Sequence, residues 1–264
     1  MQAMNKHAKP CGWTLVSLRP QGQHAALRQA AAAAGAVATV ALAPWRLQRC
    51  TDEAARTTLH AALRAHATVF TSPAAVVAAQ ALLPGLPSCN AQQWLAVGEG
   101  TLRALQRAGV QGAQAPARMD SEGLLALPAL QQLQGRQIGL VTAPGGRGLI
   151  AASLQQRGAQ LVRANVYQRT PLTLPPRALA RLSHSPQPWL LALSSGEALQ
   201  RVWEQLPPPW QSRWRGGMGV LAASARLCEQ AQALGLAHVA QAEGPMPAQL
   251  AAAARQLLPR LARS

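Results

Sequence analysis

Short apolar runs alternate with stretches of helical spacing along most of the chain, and this alternation predicts parallel sheets covered by helices. WTLVSL, Trp13 to Leu18, leads into a helix over Gln23 to Ala34. Ala30 to Trp45 reads as a helix end, a turn at Gly35 and a strand. Thr51, Asp52 and Glu53 make a cap with acidic residues at the start of a helix running toward His66, where they meet the positive end of the helix dipole. TVFT with a helix to Leu83, WLAV (Trp94 to Val97) with a helix to Ala108, and a helix opening at Ser121 follow. IGLVT, Ile138 to Thr142, precedes a helix ending near Arg157; WLLAL, GVLA (Gly219 to Ala222) and a helix after Pro247 continue the pattern. The proline clusters at Pro171 to Pro176, Pro186 to Pro188 and Pro207 to Pro209 are expected to be connections, because proline fits neither a helix interior nor a central strand.

One similarity goes beyond alternation. TVFTSPAAVVAAQALL followed by WLAVGEGTLRALQRAGV parallels WLLALSSGEALQRVWEQL followed by GVLAASARLCEQAQALGL. Each begins with a strand ending in hydroxyls, passes through a helix to a second strand with a small-residue turn, and closes a second helix at glycine. Two similar α/β units would present such loops at the carboxyl ends of their strands, where open parallel sheets bind ligands.

Composition narrows the chemistry. The length of 264 residues suits two domains, and 49 % apolar residues allow each its own core. No run reaches the ~20 apolar residues that span a bilayer, and no cleavage-like site follows Lys6 and Lys9, so a soluble cytoplasmic protein is expected. Cys11, Cys50, Cys89 and Cys228 form no CxxC, the six histidines no HExxH, and acidic residues number nine. A disulfide framework, a metal site and a two-carboxylate mechanism therefore have little to draw on. The net charge of +16 comes from arginines scattered along the chain, which favours a polyanionic small ligand over nucleic acid; neither nucleic acid nor membrane is expected as a partner.

Candidate binding groups cluster at strand ends. Thr71 and Ser72 before Pro73, and Ser194 and Ser195 before Gly196, stand where the free amides of a helix start can hold a carboxylate or phosphate; each pair also reads as an ordinary N-cap. GEGT, Gly98 to Thr101, lacks the third glycine of a dinucleotide loop. In TAPGGRG, Thr142 to Gly148, glycines at Gly145 and Gly146 free the backbone and Arg147 can fork onto a carboxylate, although the same residues also make a plain strand-to-helix loop. Arg19 follows the first strand in a similar position. Tyr167, the only tyrosine, is either packing or a proton donor beside a bound polyanion.

In order and spacing these motifs resemble the uroporphyrinogen-III synthase family. The resemblance rests on LRP at Leu18 to Pro20, FTSP at Phe70 to Pro73, VGEGT at Val97 to Thr101 with Gly109, SEGLL from Ser121 and RGA at Arg157 to Ala159. VYQRT from Val166, LSS from Leu193, and SARL from Ser224 with Gly235 behind it complete the series. LAASA, Leu221 to Ala225, departs from the family's glycine and threonines there, though Ser224 keeps a hydroxyl.

The resemblance implies an α/β fold of two flavodoxin-like lobes, each a parallel sheet flanked by helices, joined by two extended crossing strands. Residues 1–38 and 172–264 would form one discontinuous domain and 50–163 the other, with 39–49 and 164–171 as linkers and Val40 to Leu47 and Asn165 to Thr170 as the crossing strands. It further implies a lyase that closes hydroxymethylbilane to uroporphyrinogen III, losing water and inverting the last pyrrole ring, as a monomer without metal or cofactor. Tyr167 would be the catalytic proton donor. Arg19, Thr71, Ser72, Pro73, Gly98, Thr101, Thr142, Gly145, Gly146, Arg147, Ser194, Ser195, Gly196 and Ser224 would contact the substrate. The alternative is a non-catalytic two-lobed binding or regulatory module for a polyanionic small ligand, with a basic nucleic-acid binder as a third reading.

Overall fold

The computed structural model describes residues 12–86, 93–145 and 148–262. Lys6, Lys9, Cys11, Cys89, Gly146 and Arg147, which figure in the sequence reading, lie outside them. The chain divides into two compact units, Met1–Arg46 with Pro171–Ser264, and Leu47–Thr170. It passes from one to the other at a two-stranded sheet of β3 and β8, whose ranges are given below.

In chain order the first unit begins with β1 (Trp13–Ser17), α1 (Ala25–Ala33), β2 (Ala36–Ala41) and the start of β3 (Trp45–Arg49). The second holds α2 (Glu53–Leu63), β4 (Ala67–Phe70), α3 (Pro73–Leu82), β5 (Trp94–Ala96), α4 (Glu99–Arg107), α5 (Ser121–Leu125), β6 (Gln137–Thr142), α6 (Leu149–Gln156), β7 (Gln160–Asn165) and most of β8 (Tyr167–Pro171). The chain returns with α7 (Pro176–Ser183), β9 (Trp189–Leu193), α8 (Gly196–Gln205), α9 (Pro208–Gly217), β10 (Met218–Ala222), α10 (Ala225–Ala233), β11 (His238–Gln241), α11 (Pro247–Ala252) and α12 (Ala254–Leu261).

The first unit is a parallel sheet in the order β2-β1-β9-β10-β11. Counted within the unit this is 2-1-3-4-5, the flavodoxin-like order. The second unit repeats its first four positions, with parallel β5-β4-β6-β7. β1, β4, β9 and β10 are buried along their whole length, which is why they read as continuous apolar runs: a parallel sheet covered on both faces leaves no polar side. In β4, Val69 and Phe70 belong to different core clusters, one with Leu124 and Leu154, the other with Leu59 and Leu105, as the alternation of a strand requires. α2 lies so close to β6 that a Cβ at Gly139 would strike the Ala62 carbonyl. Gly109 and Gly235, with φ of 86° and 84°, turn the chain just after α4 and α10 in the left-handed conformation that ends many helices.

Two expectations change. The strand expected over Val40 to Leu47 divides: residues up to Ala41 belong to β2 in the five-stranded sheet, and the strand paired with β8 is β3, from Trp45 to Arg49. The proline clusters are not only connections. Pro176 opens α7, and Pro208 and Pro209 stand in the first turn of α9, where the missing N–H would have had no helical partner.

Candidate functional site

In a sheet of this order the connections after the first and third strands of a unit leave in opposite directions, opening a crevice between their carboxyl ends. In the second unit that crevice falls between β4 and β6. Thr71 follows β4, Thr142 ends β6, and the Thr71 hydroxyl donates to the Thr142 hydroxyl across it at 2.8 Å. Ser72 is the N-cap of α3: its extended backbone and Oγ receive the Ala75 N–H at 3.1 Å, with Pro73 at the first helical position. The same Oγ lies 3.1 Å from the Tyr167 hydroxyl. Tyr167, the first residue of β8 and two past the end of β7, has only 4 % of its surface exposed, its ring packed in the same core cluster as Phe70 and Val76.

These groups line an open cleft of about 200 Å³, bounded also by Ala143 to Gly145, Gly148, Ser121 and Arg163. Arg163 projects from β7, held by its Nε–H to the Asn165 side chain at 3.1 Å and by Nη2 to the Ala143 carbonyl at 2.9 Å. Two of its five donors are thereby used, and the fork is fixed beside the cleft. Arg163, Arg169 and Ser121 are among the lining residues that sequence reasoning did not single out as site residues. Arg163 lies in RANVYQRT, four residues before Tyr167, and alternation along β7 could have placed it on the strand but not on the cleft side. A wider depression of about 510 Å³ near His66, Gln93 and Arg136 opens at the amino ends of β4, β5 and β6, away from the hydroxyl turns.

The expected residues therefore separate. Thr71, Ser72, Thr142, Gly145 and Tyr167 come together at the cleft. Gly98, the N-cap of α4, and Thr101, 4 % exposed, are not among its lining residues.

Arg19, Ser194, Ser195, Gly196 and Ser224 stand in the first unit, at the carboxyl ends of β1, β9 and β10. There the crevice lies between β1 and β9. Ser195 caps α8 through its Oγ, 3.3 Å from the Ala198 N–H, and Ser224 precedes α10 without a side-chain cap. Gly196 is buried beneath Gln230, whose amide donates to the Gly196 carbonyl at 3.2 Å. Arg19 donates to the Pro245 carbonyl at 3.2 Å, and burial lowers its pKa. Among the described residues no carboxylate lies within ion-pairing distance of it. Also among the described residues, no group of three His, Cys, Asp or Glu side chains could hold a metal ion, and no helix is long and apolar enough to cross a membrane.

Comparison with known proteins draws on both sequence and fold. A stretch of 143 residues is 32 % identical to uroporphyrinogen-III synthase of Escherichia coli, covering 54 % of this chain and 58 % of that one. The enzyme of the same name from Salmonella typhimurium is 32 % identical over 146 residues, 55 % of this chain and 59 % of its own. The chain thus spans little more than half the length of these relatives. Two crystal structures share the fold. A uroporphyrinogen III synthase mutant from Thermus thermophilus has a TM-score of 0.63 at 17 % identity, covering 96 % of this chain and all of that one. The Helicobacter pylori protein of that name has a TM-score of 0.63 at 15 % identity, covering 93 % and 99 %. The family model described as uroporphyrinogen-III synthase HemD matches residues 23–252. With that match running over most of both units, the chain belongs to the uroporphyrinogen-III synthase family.

Proposed function

We propose that this protein closes hydroxymethylbilane to uroporphyrinogen III, a lyase reaction that removes water and inverts the last pyrrole ring. The observation that carries the proposal is the Ser72–Tyr167 hydroxyl pair at the β4/β6 crevice, with the Arg163 fork beside it. The substrate carries an acetate and a propionate on every pyrrole. A cleft lined by hydroxyls and an anchored guanidinium suits such groups, at roughly 1.5 to 3 kcal/mol for each charge-assisted hydrogen bond.

Ionisation of the hydroxymethyl group gives an azafulvene cation and needs a proton for the departing oxygen. Ser72 already accepts from the Ala75 N–H, so its own proton is available to the Tyr167 oxygen. The phenol proton is then left for a ligand, and the phenolate formed by transfer keeps a donor. The electron-rich last pyrrole attacks the electrophile at its substituted carbon, and the resulting spiro centre fragments and recloses. Holding the two ends of the chain together supplies the rest of the catalysis.

The same reading takes the protein to act in the cytoplasm as a monomer, without metal or cofactor. The deciding experiment mixes it with enzymatically generated hydroxymethylbilane in the presence of a chelator and identifies the porphyrin isomer after oxidation. Predominantly type III product is expected. Only the spontaneous type I isomer would overturn the proposal.

A further inference from the structure

The β1/β9 crevice of the first unit contains a hydrogen-bonded group that the reading above leaves unused. Ser17 ends β1 with its side chain fully buried, and its Oγ lies 2.9 Å from Nδ1 of His24, the residue preceding α1. The Arg19 backbone N–H approaches the same oxygen at 3.4 Å. A buried hydroxyl proton needs an acceptor. Oγ has Nδ1 in reach for its proton and faces a donor in the Arg19 N–H. The neutral imidazole therefore accepts at Nδ1 and carries its proton on Nε2, for which no partner is present among the described residues. The tautomer and orientation of the ring are thus set from the core side by the last residue of β1, at the strand end where open sheets of this order take ligands. Next to it the partly desolvated Arg19 guanidinium has, among the described residues, a single carbonyl for a partner.

We propose that His24 and Arg19 form a carboxylate subsite at the β1/β9 crevice, in which Nε2–H of His24 donates to a ligand carboxylate and the imidazole takes up a proton as that carboxylate binds. The proposal rests on the polycarboxylate reading of the ligand but not on ring closure itself. The charges acting on the imidazole are Arg19 on its own loop and Arg28 one turn into α1. α11, which packs on α1, has the sequence PAQLAA and no ionisable side chain, and Glu243 in the segment before it is exposed. Burial, and after it these two arginines, hold the free imidazole below its ordinary pKa. Protonation falls on Nδ1, which then donates to Ser17 Oγ and costs the Ser17 proton its acceptor. That cost opposes protonation in the free and the bound protein alike, while a bound carboxylate offsets both cations and so raises the pKa relative to the free protein. Protons are therefore taken up on binding between the free and the bound pKa. Affinity grows as pH falls through that window and is level above it. Carboxylates of the Asp and Glu type protonate only near pH 4, which leaves the window to the imidazole.

The test uses the whole protein with histidine labelled for NMR, and as probe a pyrrole bearing one acetate and one propionate. The His24 titration should move to higher pH on adding the probe, by a shift that Arg19→Met abolishes. In the ring-closure assay, His24→Ala should raise KM about tenfold, as for a lost hydrogen bond to a charged group, with kcat unchanged. His24→Gln, which keeps a donor near Nε2 but does not titrate, should recover most of the affinity and flatten its pH dependence between pH 5.5 and 8. A His24 titration unmoved by the probe, or a His24→Ala protein with the parent's KM and pH profile, overturns the subsite. A shifted His24 in a protein that makes no type III isomer leaves the subsite standing and removes the proposed activity alone.

Discussion

At the β4/β6 crevice the strand ends present hydroxyls to one another: Thr71 to Thr142 at 2.8 Å and Ser72 to Tyr167 at 3.1 Å, with Arg163 fixed alongside. At the β1/β9 crevice, in the same topological position, they present Arg19 and His24, while the hydroxyls of Ser195 and Ser17 are occupied in capping α8 and in orienting the imidazole. Ser72 and Ser195 are alike locally, each accepting from the amide three residues on. They differ in what the rest of the unit brings to them. A phenol from beyond β7 meets Ser72, whereas Gln230 from α10 covers the turn after Ser195. One capping motif thus borders a hydroxyl-lined cleft in one unit and only caps a helix beneath Gln230 in the other.

The hypothesis that the β4/β6 crevice holds the proton donor is most exposed at Tyr167. Tyr167→Phe keeps the buried ring and deletes the proton, so turnover should fall by about 10² to 10⁴, the usual worth of general acid catalysis. Thermal stability should change little and the share of type I isomer should rise as substrate escapes. A parent-like rate and isomer ratio would make Tyr167 packing and remove the main contrast between the units. Arg163→Met keeps the aliphatic stem and should raise KM roughly ten- to a hundredfold, the loss of one charge-assisted bond; an unchanged KM would mean that Arg163 holds no substrate carboxylate.

Ser72→Ala and Ser195→Ala compare the units directly. Each should cost about 1 kcal/mol of stability as a lost N-cap, measured by denaturant titration. Only Ser72→Ala should also slow turnover, by several-fold. Equal rates in the two variants would mean that the phenol contact adds nothing to the cap. An effect no larger than that of Ser195→Ala is expected for Gly196→Ala. A Cβ there meets the Gln230 side chain and displaces its amide from the Gly196 carbonyl, so about 1 kcal/mol of stability should be lost with turnover intact. Slower turnover in a stable Gly196→Ala protein would instead turn that residue toward the ligand.

The sequence by itself determined the elements whose signal is local. Continuous apolar runs marked β1, β4, β9 and β10 because strands buried on both faces admit no polar alternation. Asp52 and Ser72 marked helix starts because an N-cap bonds within three residues. β7, β11, α7 and α9 were not legible: the first two carry mixed burial, and the helices open on prolines that also suit loops. Strand order could not be read locally at all. By pattern, FTSP pairs with LSSG; in the folded sheets β4 is the first strand of its unit, as β1 is of the other, so the turn at Thr71 and Ser72 corresponds in topology to Leu18 to Pro20. Ser72 and Tyr167 are 95 residues apart in the chain, and nothing between them records their contact. It exists because β4, β6 and β7 lie side by side in a parallel sheet, which gathers their carboxyl ends at one edge whatever the chain length between them.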